Sequence, residues 1–343
     1  MRTLALVALV TGCAVEAPAA DYAWDLPRGF PAPRVPADNP MTAEKVELGR
    51  HLFYDARLSG NGTQSCASCH APERAFTDGL VTAIGSTGAP GRHNAMSLTN
   101  VAYNSAQTWA DPSVVDLESQ ALIPMFGTSP VELGLTEEVL LARLGADARY
   151  AALFAAASEP ITVAAVTRAI ASFERTILSG SSRFDRFSAG DHTALSPSEQ
   201  NGLALFESPT LGCRSCHDGF NLSSATARVQ MFNTGLYNPY PASDRGLAEV
   251  TGLTSDTGRF KPPTLRNIAL TAPYMHDGSV ATLDDVLDIY AHGGRGDGAA
   301  VAYRSPLVTG FQISAAQKSD VVAFLGALTD DTLATNPALA NPW

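Results

Sequence analysis

The 343-residue sequence lacks a long hydrophobic run, because no stretch of about 18 apolar residues follows the N-terminal segment. This absence argues against a helix that spans a membrane. Basic residues are also few, with 23 Lys and Arg against 34 Asp and Glu, and the formal net charge is −11. Nucleic-acid binding needs clustered Lys and Arg to contact phosphates, so this balance argues against a nucleic-acid partner.

Cysteine is scarce, and four of the five cysteines lie in two copies of one motif, C-A-S-C-H at 66–70 and C-R-S-C-H at 213–217. A zinc site, a redox-active C-x-x-C pair and a disulfide framework are the alternatives. Zinc ribbons have no obligatory His after the second cysteine, and the βαβ pattern around a thioredoxin-type motif is absent. Attachment of c-type haem explains every position, since two thiols bind one porphyrin and the adjacent imidazole binds its iron. We therefore predict two covalent haems, held by Cys66, Cys69 and His70 and by Cys213, Cys216 and His217.

The N-terminus carries one Arg and a short apolar run from Leu4 to Val10, which is too short to span a bilayer. This pattern is typical of an export signal. Its ending, V-T-G-C, resembles a bacterial lipobox, so residues 1–12 are predicted to be a lipoprotein signal peptide and Cys13 the lipidated first residue. The alternative is ordinary cleavage near Ala20. Both interpretations predict export to the periplasm, and the first adds a lipid anchor in the outer membrane.

The chain between the motifs has a helical apolar pattern and few strand signals. One apolar face with spacings of three and four predicts a long helix, and its members are Val163, Val166, Ile170, Phe173 and Ile177. N-cap sequences predict the starts of three more helices, at Ser196, Thr282 and Ser314. The sequence therefore predicts a mainly α fold with long Gly- and Pro-rich loops.

The residues before each haem motif also repeat, since 49–53 and 202–206 both read G-x-x-L-F on a predicted helix. This repetition predicts two tandem cytochrome c-like haem domains with long loops. The Ser- and Gly-rich stretch 179–194 is a candidate linker. After the signal peptide, the predicted order is an N-terminal tether, an N-terminal haem domain and a C-terminal haem domain, at residues 13–40, 41–190 and 191–343.

Three stretches carry a family resemblance, namely LGRHLFYDARLSGNGTQSCASCH (48–70), PVELG (130–134) and FKPPTLRNIALTAPYMHDGSVATLDDV (260–286). They resemble the bacterial di-haem cytochrome c peroxidase family, which includes MauG. The resemblance runs from about Met41 to about Leu328. Residues 108–134 are most similar to its methanobactin-associated, MbnH-like branch, whose partner protein binds copper. The resemblance implies that the N-terminal haem is peroxidatic and that the C-terminal haem transfers electrons.

The resemblance also implies an activity. The implied activity is that of a peroxidase-type oxidoreductase. Hydrogen peroxide forms a high-valent iron state, and this state oxidises a tryptophan of a partner protein. The partner expected here is an exported, copper-binding protein. Two alternatives stay open. One is a di-haem peroxidase that removes hydrogen peroxide with electrons from a small carrier, and the other is a non-enzymatic electron carrier.

The sixth ligand of the C-terminal haem separates the first two hypotheses. In peroxidase members a Met lies fourteen residues after the His of the HDG motif, and this position, counted from His276, is Tyr290. MauG-like members have Tyr there. A thioether favours ferrous iron and raises the potential, whereas a phenolate favours oxidised iron. Met275 is the competing candidate for the sixth ligand. The alternative to ligation by Tyr290 is that it is only the fourth apolar residue of its helix face.

The peroxidatic haem needs an acid–base group above its iron, because peroxide cleavage moves a proton from one oxygen to the other. By the resemblance these groups are Gln120 and Glu132, and Trp109 is the tryptophan that relays electrons between the haems. The spacing from Trp109 to Gln120 is eleven residues, where the family usually has ten.

Two further features follow from the resemblance. The loop 81–92 contains no His that would cap the first iron, and His93 stands where the family has Arg, so the first site is expected to be open at rest. A calcium ion between the domains is expected to be held by Asn94, Thr271 and Pro273. Oxygen ligands of this kind suit a hard cation.

Overall fold

The computed structural model describes residues 22–343. The predicted signal peptide, Cys13 and the alternative cleavage point near Ala20 lie outside this range. The described chain is mainly helical, which confirms the predicted fold class. None of its helices has the length and apolarity that crossing a bilayer requires.

Eleven α-helices and one small sheet form the described chain. The helices are α1 Ala43–Tyr54, α2 Cys66–Cys69, α3 Leu117–Phe126, α4 Glu137–Gly145, α5 Ala148–Ala156, α6 Val163–Glu174, α7 Arg183–Ser188, α8 Pro197–Glu207, α9 Ala248–Thr251, α10 Leu283–Ala291 and α11 Ala315–Gly326. The two strands, β1 Phe232–Asn233 and β2 Arg259–Phe260, pair antiparallel. Short 3₁₀ segments occupy Ala56–Leu58, Pro72–Arg74, Val101–Tyr103, Cys213–Ser215, Ser224–Thr226, Thr254–Asp256, Ile268–Leu270 and Gly296–Ala300.

The helix starts that the sequence predicts are confirmed. Ser196 and Ser314 form capping boxes at the beginnings of α8 and α11, with Glu199 and Gln317 as their partners. The hydroxyl of Thr282 accepts a hydrogen bond from an N–H in the first turn of α10. Each cap satisfies N–H groups that have no partner within the helix.

The long helix is shorter than its apolar pattern suggests. It ends at Glu174, whereas the prediction extended to Ile177. Ile177 is still fully buried, because the N–H of Ile177 bonds to the carbonyl of Glu174 in a tight turn that returns the side chain to the core. The spacing of apolar residues indicates which side chains are buried, and buried side chains continue beyond the last turn of this helix. The pattern therefore overestimated the length of the helix.

The repeated G-x-x-L-F stretches occupy equivalent places in two helix pairs. Gly49 of α1 lies against the backbone of α6, where an added Cβ would overlap the carbonyl oxygen of Ala169. Gly202 of α8 lies in the same way against the carbonyl oxygen of Asp320 in α11. Glycine is required at both positions because the helix backbones approach too closely for a side chain. The sequence repeat is therefore a repeat of helix packing.

The two helix pairs form two hydrophobic cores. The first contains α1, α3 and α6, and the second contains α8 and α11. The C-terminal tail returns to the first core, where Leu333 and Leu339 are buried. A third, smaller cluster surrounds Phe260 and includes Trp109.

The stretch 179–194 is more ordered than a simple linker. It contains α7, which begins with a capping box at Ser182. Asp185 accepts two hydrogen bonds from the guanidinium of Arg266, at 2.9 and 3.0 Å. Phe184 packs edge-on against Phe324 of the second core at 5.6 Å. The Ser and Gly residues of this stretch therefore form turns and helix caps, and the stretch itself packs against the second core.

Candidate haem sites

The first C-x-x-C-H motif opens onto a cavity of about 600 Å³. Helix α2 carries the two cysteines and packs beside α1, so Cys66, Cys69 and His70 all line this cavity. The apolar lining includes Leu98, Leu133 and Ile170.

The imidazole of His70 is oriented as an iron ligand must be. Its Nδ1 lies 2.9 Å from the carbonyl oxygen of Phe76, which fixes Nδ1 as the donor and leaves Nε2 as the basic nitrogen. Burial lowers the pKa of His70, which favours the neutral form of the ring. A neutral, oriented imidazole is the form that binds a metal.

The predicted acid–base pair lies on the wall of the same cavity. Gln120 projects from α3, and Glu132 comes from the loop that follows it. The backbone of Glu132 is fixed by a 2.7 Å hydrogen bond from the N–H of Ser86. Burial raises the pKa of Glu132, and the nearby His93 partly offsets this effect. A carboxyl group with a raised pKa is suited to exchange protons.

The second motif opens onto a larger cavity of about 1,410 Å³. Cys213, Cys216 and His217 line it. Nδ1 of His217 lies 3.3 Å from the carbonyl oxygen of Leu222, which again leaves Nε2 as the basic nitrogen. Burial lowers the pKa of His217 to about 4. The second motif therefore repeats the orientation of the first.

The thiols in both cavities fit covalent haem. Within residues 22–343 the four cysteines are free, and none is paired in a disulfide. Burial raises the pKa of all four thiols, in the absence of any nearby cation that would favour thiolates. Among the described residues, no cluster of three His, Cys, Asp or Glu side chains could hold a metal ion. This arrangement disfavours the zinc and disulfide alternatives and fits one porphyrin in each cavity, with His70 and His217 as its iron ligands.

Tyr290 and Met275 both line the second cavity. Tyr290 lies in the last turns of α10, and burial raises the pKa of its phenol. A bound cation reverses this effect, since coordination to a metal favours the deprotonated ligand. The two sequence candidates for the sixth ligand thus lie in one cavity.

Trp109 lies beside the second cavity and not the first. Its indole lines the second cavity and packs in the third cluster. Nε1 donates a 2.9 Å hydrogen bond to the carbonyl oxygen of Asn94. The structure therefore separates the predicted residues into Gln120 and Glu132 in the first cavity and Trp109 and Tyr290 in the second.

The expected calcium ligands have oxygen atoms that the protein leaves free. The side-chain N–H of Asn94 donates to the carbonyl of Leu80 at 2.8 Å, and its Oδ1 accepts no hydrogen bond from the described residues. Within the described residues, the carbonyl oxygens of Thr271 and Pro273 also accept no hydrogen bond from a backbone N–H group. The backbone N–H of Asn94 bonds to the carbonyl of His276, which brings Asn94 to this segment.

A cluster of Asp244, His93 and His276 was missed by the sequence interpretation. The carboxylate of Asp244 accepts from Nε2 of His93 at 3.1 Å and lies 3.3 Å from Nε2 of His276. The ring of His276 stacks on Phe260 with centroids 3.6 Å apart. His93 is thereby paired with Asp244 and does not itself line the first cavity, although it lies near enough to affect Glu132. No motif marks Asp244, because its partners are distant in sequence.

Two buried charged residues in the cavities were also missed. Glu174 lines the first cavity and Lys261 the second. Glu174 lies four residues after Ile170 on the predicted apolar face, where a charged residue is an anomaly. Lys261 stands between Phe260 and Pro262, so its apolar surroundings were also visible.

Comparisons with known proteins agree with this geometry. The family described as di-haem cytochrome c peroxidase matches residues 43–193. The methylamine utilization protein MauG of Methylorubrum extorquens is 36% identical over 315 residues, which cover 91% of this chain and 83% of that protein. Cytochrome c551 peroxidase of Nitrosomonas europaea is 34% identical, with 88% and 84% covered.

Solved structures show the same fold. A MauG-like protein associated with microbial copper homeostasis is 46% identical and superposes with a TM-score of 0.90. The match covers 94% of this chain and 99% of that one. The di-haem peroxidase BthA from Burkholderia thailandensis superposes with a TM-score of 0.71 at 24% identity, which supports the fold alone.

Proposed function

The chain belongs to the di-haem cytochrome c peroxidase family, which includes MauG, and we propose that it uses hydrogen peroxide to oxidise a tryptophan of an exported, copper-binding protein. Membership makes it a peroxidase-type oxidoreductase with two c-type haems. The observation that carries the proposal is Tyr290, whose phenol lines the cavity of the second haem motif. The net reaction joins tryptophan and peroxide to give a hydroxylated tryptophan and water.

The bound haems supply the iron at which peroxide is cleaved and which stores the oxidising equivalents. Around the first haem, Glu132 moves the proton from one oxygen of peroxide to the other, and Gln120 orients the peroxide by hydrogen bonding. Both side chains line the first cavity. Much of the wall around them is apolar, and a low local polarity strengthens such interactions.

Tyr290 and His217, which line the same cavity, are the residues that would hold the iron of the second haem, Tyr290 through its phenolate oxygen. A phenolate is a hard anionic donor, and it makes this haem a poor acceptor for electrons from a soluble carrier. The haem is then better suited to share an oxidising equivalent than to receive electrons. Poor acceptance of electrons from a carrier distinguishes an enzyme that oxidises a partner protein from a peroxidase that removes hydrogen peroxide.

Trp109 relays electrons between the two sites. Its indole is fixed by the bond to Asn94 and lines the second cavity. Because electrons travel through the protein, the partner tryptophan does not need to enter the first cavity. A substrate as large as a folded protein is therefore compatible with a buried peroxide site.

The cellular setting is part of the same proposal. The export signal, with cleavage before Cys13 or near Ala20, brings the chain to the periplasm, and a lipid on Cys13 anchors it in the outer membrane. The similarity to a MauG-like protein associated with copper homeostasis supports a copper-binding partner. A calcium ion held by Asn94, Thr271 and Pro273 joins the segments beside the second haem.

The test is mass spectrometry of a candidate partner, namely an exported copper-binding protein whose gene neighbours this one. Purified di-haem protein and hydrogen peroxide are expected to add oxygen to a tryptophan of that partner. The Tyr290→Phe variant with both haems is the matched control, and it is expected to leave the partner unmodified.

The second candidate function is removal of peroxide with electrons from a small carrier. Met275 favours it, because a thioether also lines the second cavity and would raise the potential of the haem. Rapid peroxide-dependent oxidation of reduced cytochrome c, with an unmodified partner, would establish this function and reject the first.

A further inference from the structure

Lys261 is a buried cation in the cavity of the second haem motif. Its side chain is only 3% exposed and lines the cavity that also contains His217 and Tyr290. Burial lowers the pKa of Lys261 to about 8, with no compensating carboxylate. Among residues 22–343, no other Lys or Arg and no Asp or Glu lines this cavity.

The other lysines show how this protein usually satisfies an ammonium group. The chain has three lysines. Nζ of Lys45, which is also buried, lies 3.1 Å from a carboxylate oxygen of Glu159. Nζ of Lys318 lies 3.0 Å from a carboxylate oxygen of Asp288. Lys261 alone has no carboxylate partner within the described chain, although an unpaired ammonium in apolar surroundings is the costliest of the three.

We propose that Lys261 forms an ion pair with a propionate of the C-terminal haem and thereby sets the reduction potential of that haem. Each haem carries two propionate carboxylates, and a buried carboxylate needs a cationic partner as much as the lysine needs an anion. Lys261 is the one Lys or Arg among the described residues that this cavity offers to a haem bound there. Lys261 is a positioning residue in this assignment.

A backbone hydrogen bond fixes the main chain of Lys261 beside Trp109. The N–H of Lys261 donates a 2.8 Å hydrogen bond to the carbonyl oxygen of Trp109. Both side chains line the second cavity. Lys261 and Trp109 are thus joined through their backbones at one cavity, and pairing of the ammonium with a propionate would cancel a positive charge there that otherwise opposes removal of an electron from the indole.

The experiment uses the full di-haem protein and measures the midpoint potential of the C-terminal haem by spectroelectrochemistry. Lys261→Met and Lys261→Gln remove the charge, and Lys261→Arg keeps it. Lys318→Met is the control, because it removes the same charge from the surface of the same half of the protein. Resonance Raman spectra report the propionate bending mode of each variant.

Loss of the cation leaves an unpaired propionate, which stabilises ferric iron. We therefore expect the midpoint potential of the C-terminal haem to fall in Lys261→Met and Lys261→Gln. The ferrous-to-ferric ratio at a fixed potential should fall at least tenfold, which corresponds to a decrease of about 59 mV for one electron. The propionate bending mode should shift in both variants. Lys261→Arg and Lys318→Met should resemble wild type.

Two other outcomes are decisive. If both neutral variants fail to retain the second haem while Lys261→Arg retains it, the charge pair is supported as a requirement for haem binding. An unchanged potential and propionate mode in either neutral variant would overturn the proposal, as would loss of the haem in Lys261→Arg as well. The proposal needs the second haem and not the oxidation of a partner, so a failure of the proposed function leaves this test intact.

Discussion

The indole Nε1 of Trp109 lies 2.9 Å from the carbonyl oxygen of Asn94, to which it donates a hydrogen bond. Asn94 in turn bonds through its backbone N–H to the carbonyl of His276, at the wall of the second cavity. The tryptophan is therefore tied to a segment of the first half and, through it, to the second half. This bond holds the indole ring in place, as the relay role proposed for Trp109 requires.

Replacing Trp109 with Phe should keep most of the packing but lose both the relay and the hydrogen bond. We expect partner oxidation to fall while the reaction of peroxide with the first haem is unchanged. Stability should fall by about 0.5–1.5 kcal/mol, the usual worth of one hydrogen bond. The exposed tryptophan Trp343 provides the control Trp343→Phe, which should leave partner oxidation intact. Equal loss of both reactions would show that Trp109 acts on the first haem site.

Glu132→Gln should slow the reaction with peroxide by roughly a hundredfold or more, the scale of lost general acid–base catalysis. The carboxylate must be ionised to accept a proton, and burial raises its pKa above 4.5. The wild-type rate should therefore rise with pH through this raised pKa and level off above it. Stopped-flow rates between pH 4 and 8 test this, and the rise should be absent in Glu132→Gln. The exposed residue Glu138 gives the control Glu138→Gln.

Glu174 should make folding stability depend on pH. Burial raises the pKa of this carboxyl group from 4.5 to about 8. Between these values the folded protein binds a proton that the unfolded chain releases, so stability falls as pH rises, by about 1.4 kcal/mol per pH unit. Urea unfolding midpoints at pH 5 and pH 8 should differ less in Glu174→Gln than in wild type or in Glu73→Gln, an exposed control. Equal differences in all three proteins would show that Glu174 is ionised.

The close helix contacts should make Gly202→Ala and Gly49→Ala destabilising. An added Cβ overlaps a backbone carbonyl at each site, and overpacking costs about 1–3 kcal/mol. Gly145, at the end of α4, has open space around it, so Gly145→Ala should stabilise the protein by about 0.5–1 kcal/mol. Thermal unfolding compares the three variants. A neutral Gly202→Ala would mean that the helix pair can separate.

The sequence alone indicates the six haem-attachment residues, which the structure places in two cavities, because covalent haem attachment needs a fixed local order of Cys, Cys and His. The N-caps at Ser196 and Ser314 were predictable for the same reason, since a capping box is local. Tyr290 and Glu132 required the family resemblance, because a lone Tyr on a helix or Glu in a loop carries no signal of its own.

The remaining features depend on tertiary contacts. Asp244 contacts His93, which lies about 150 residues earlier in the sequence, and His276, which lies more than 30 residues later. The extent of the long helix was overestimated because Ile177 is buried by a turn and not by a helix. The burial of Lys261 and Glu174 arises only when the cavities form. Patterns of nearby residues report local structure, and these features are not local.

The sixth ligand of the C-terminal haem can be assigned by two matched variants, because Tyr290 and Met275 line the same cavity. Tyr290→Phe removes one oxygen and keeps the aromatic ring, so the packing of α10 should be preserved. Met275→Leu likewise keeps the volume and removes the thioether.

If the phenolate binds iron, Tyr290→Phe should abolish the low-spin His/Tyr signal of the C-terminal haem in electron paramagnetic resonance and leave the high-spin signal of the N-terminal haem. It should also raise the potential of the C-terminal haem, since an anionic ligand that stabilises ferric iron is lost. Met275→Leu should change neither property. The reverse result, a change in Met275→Leu alone, would identify the thioether as the ligand, and the second haem would then be suited to accept electrons from a carrier.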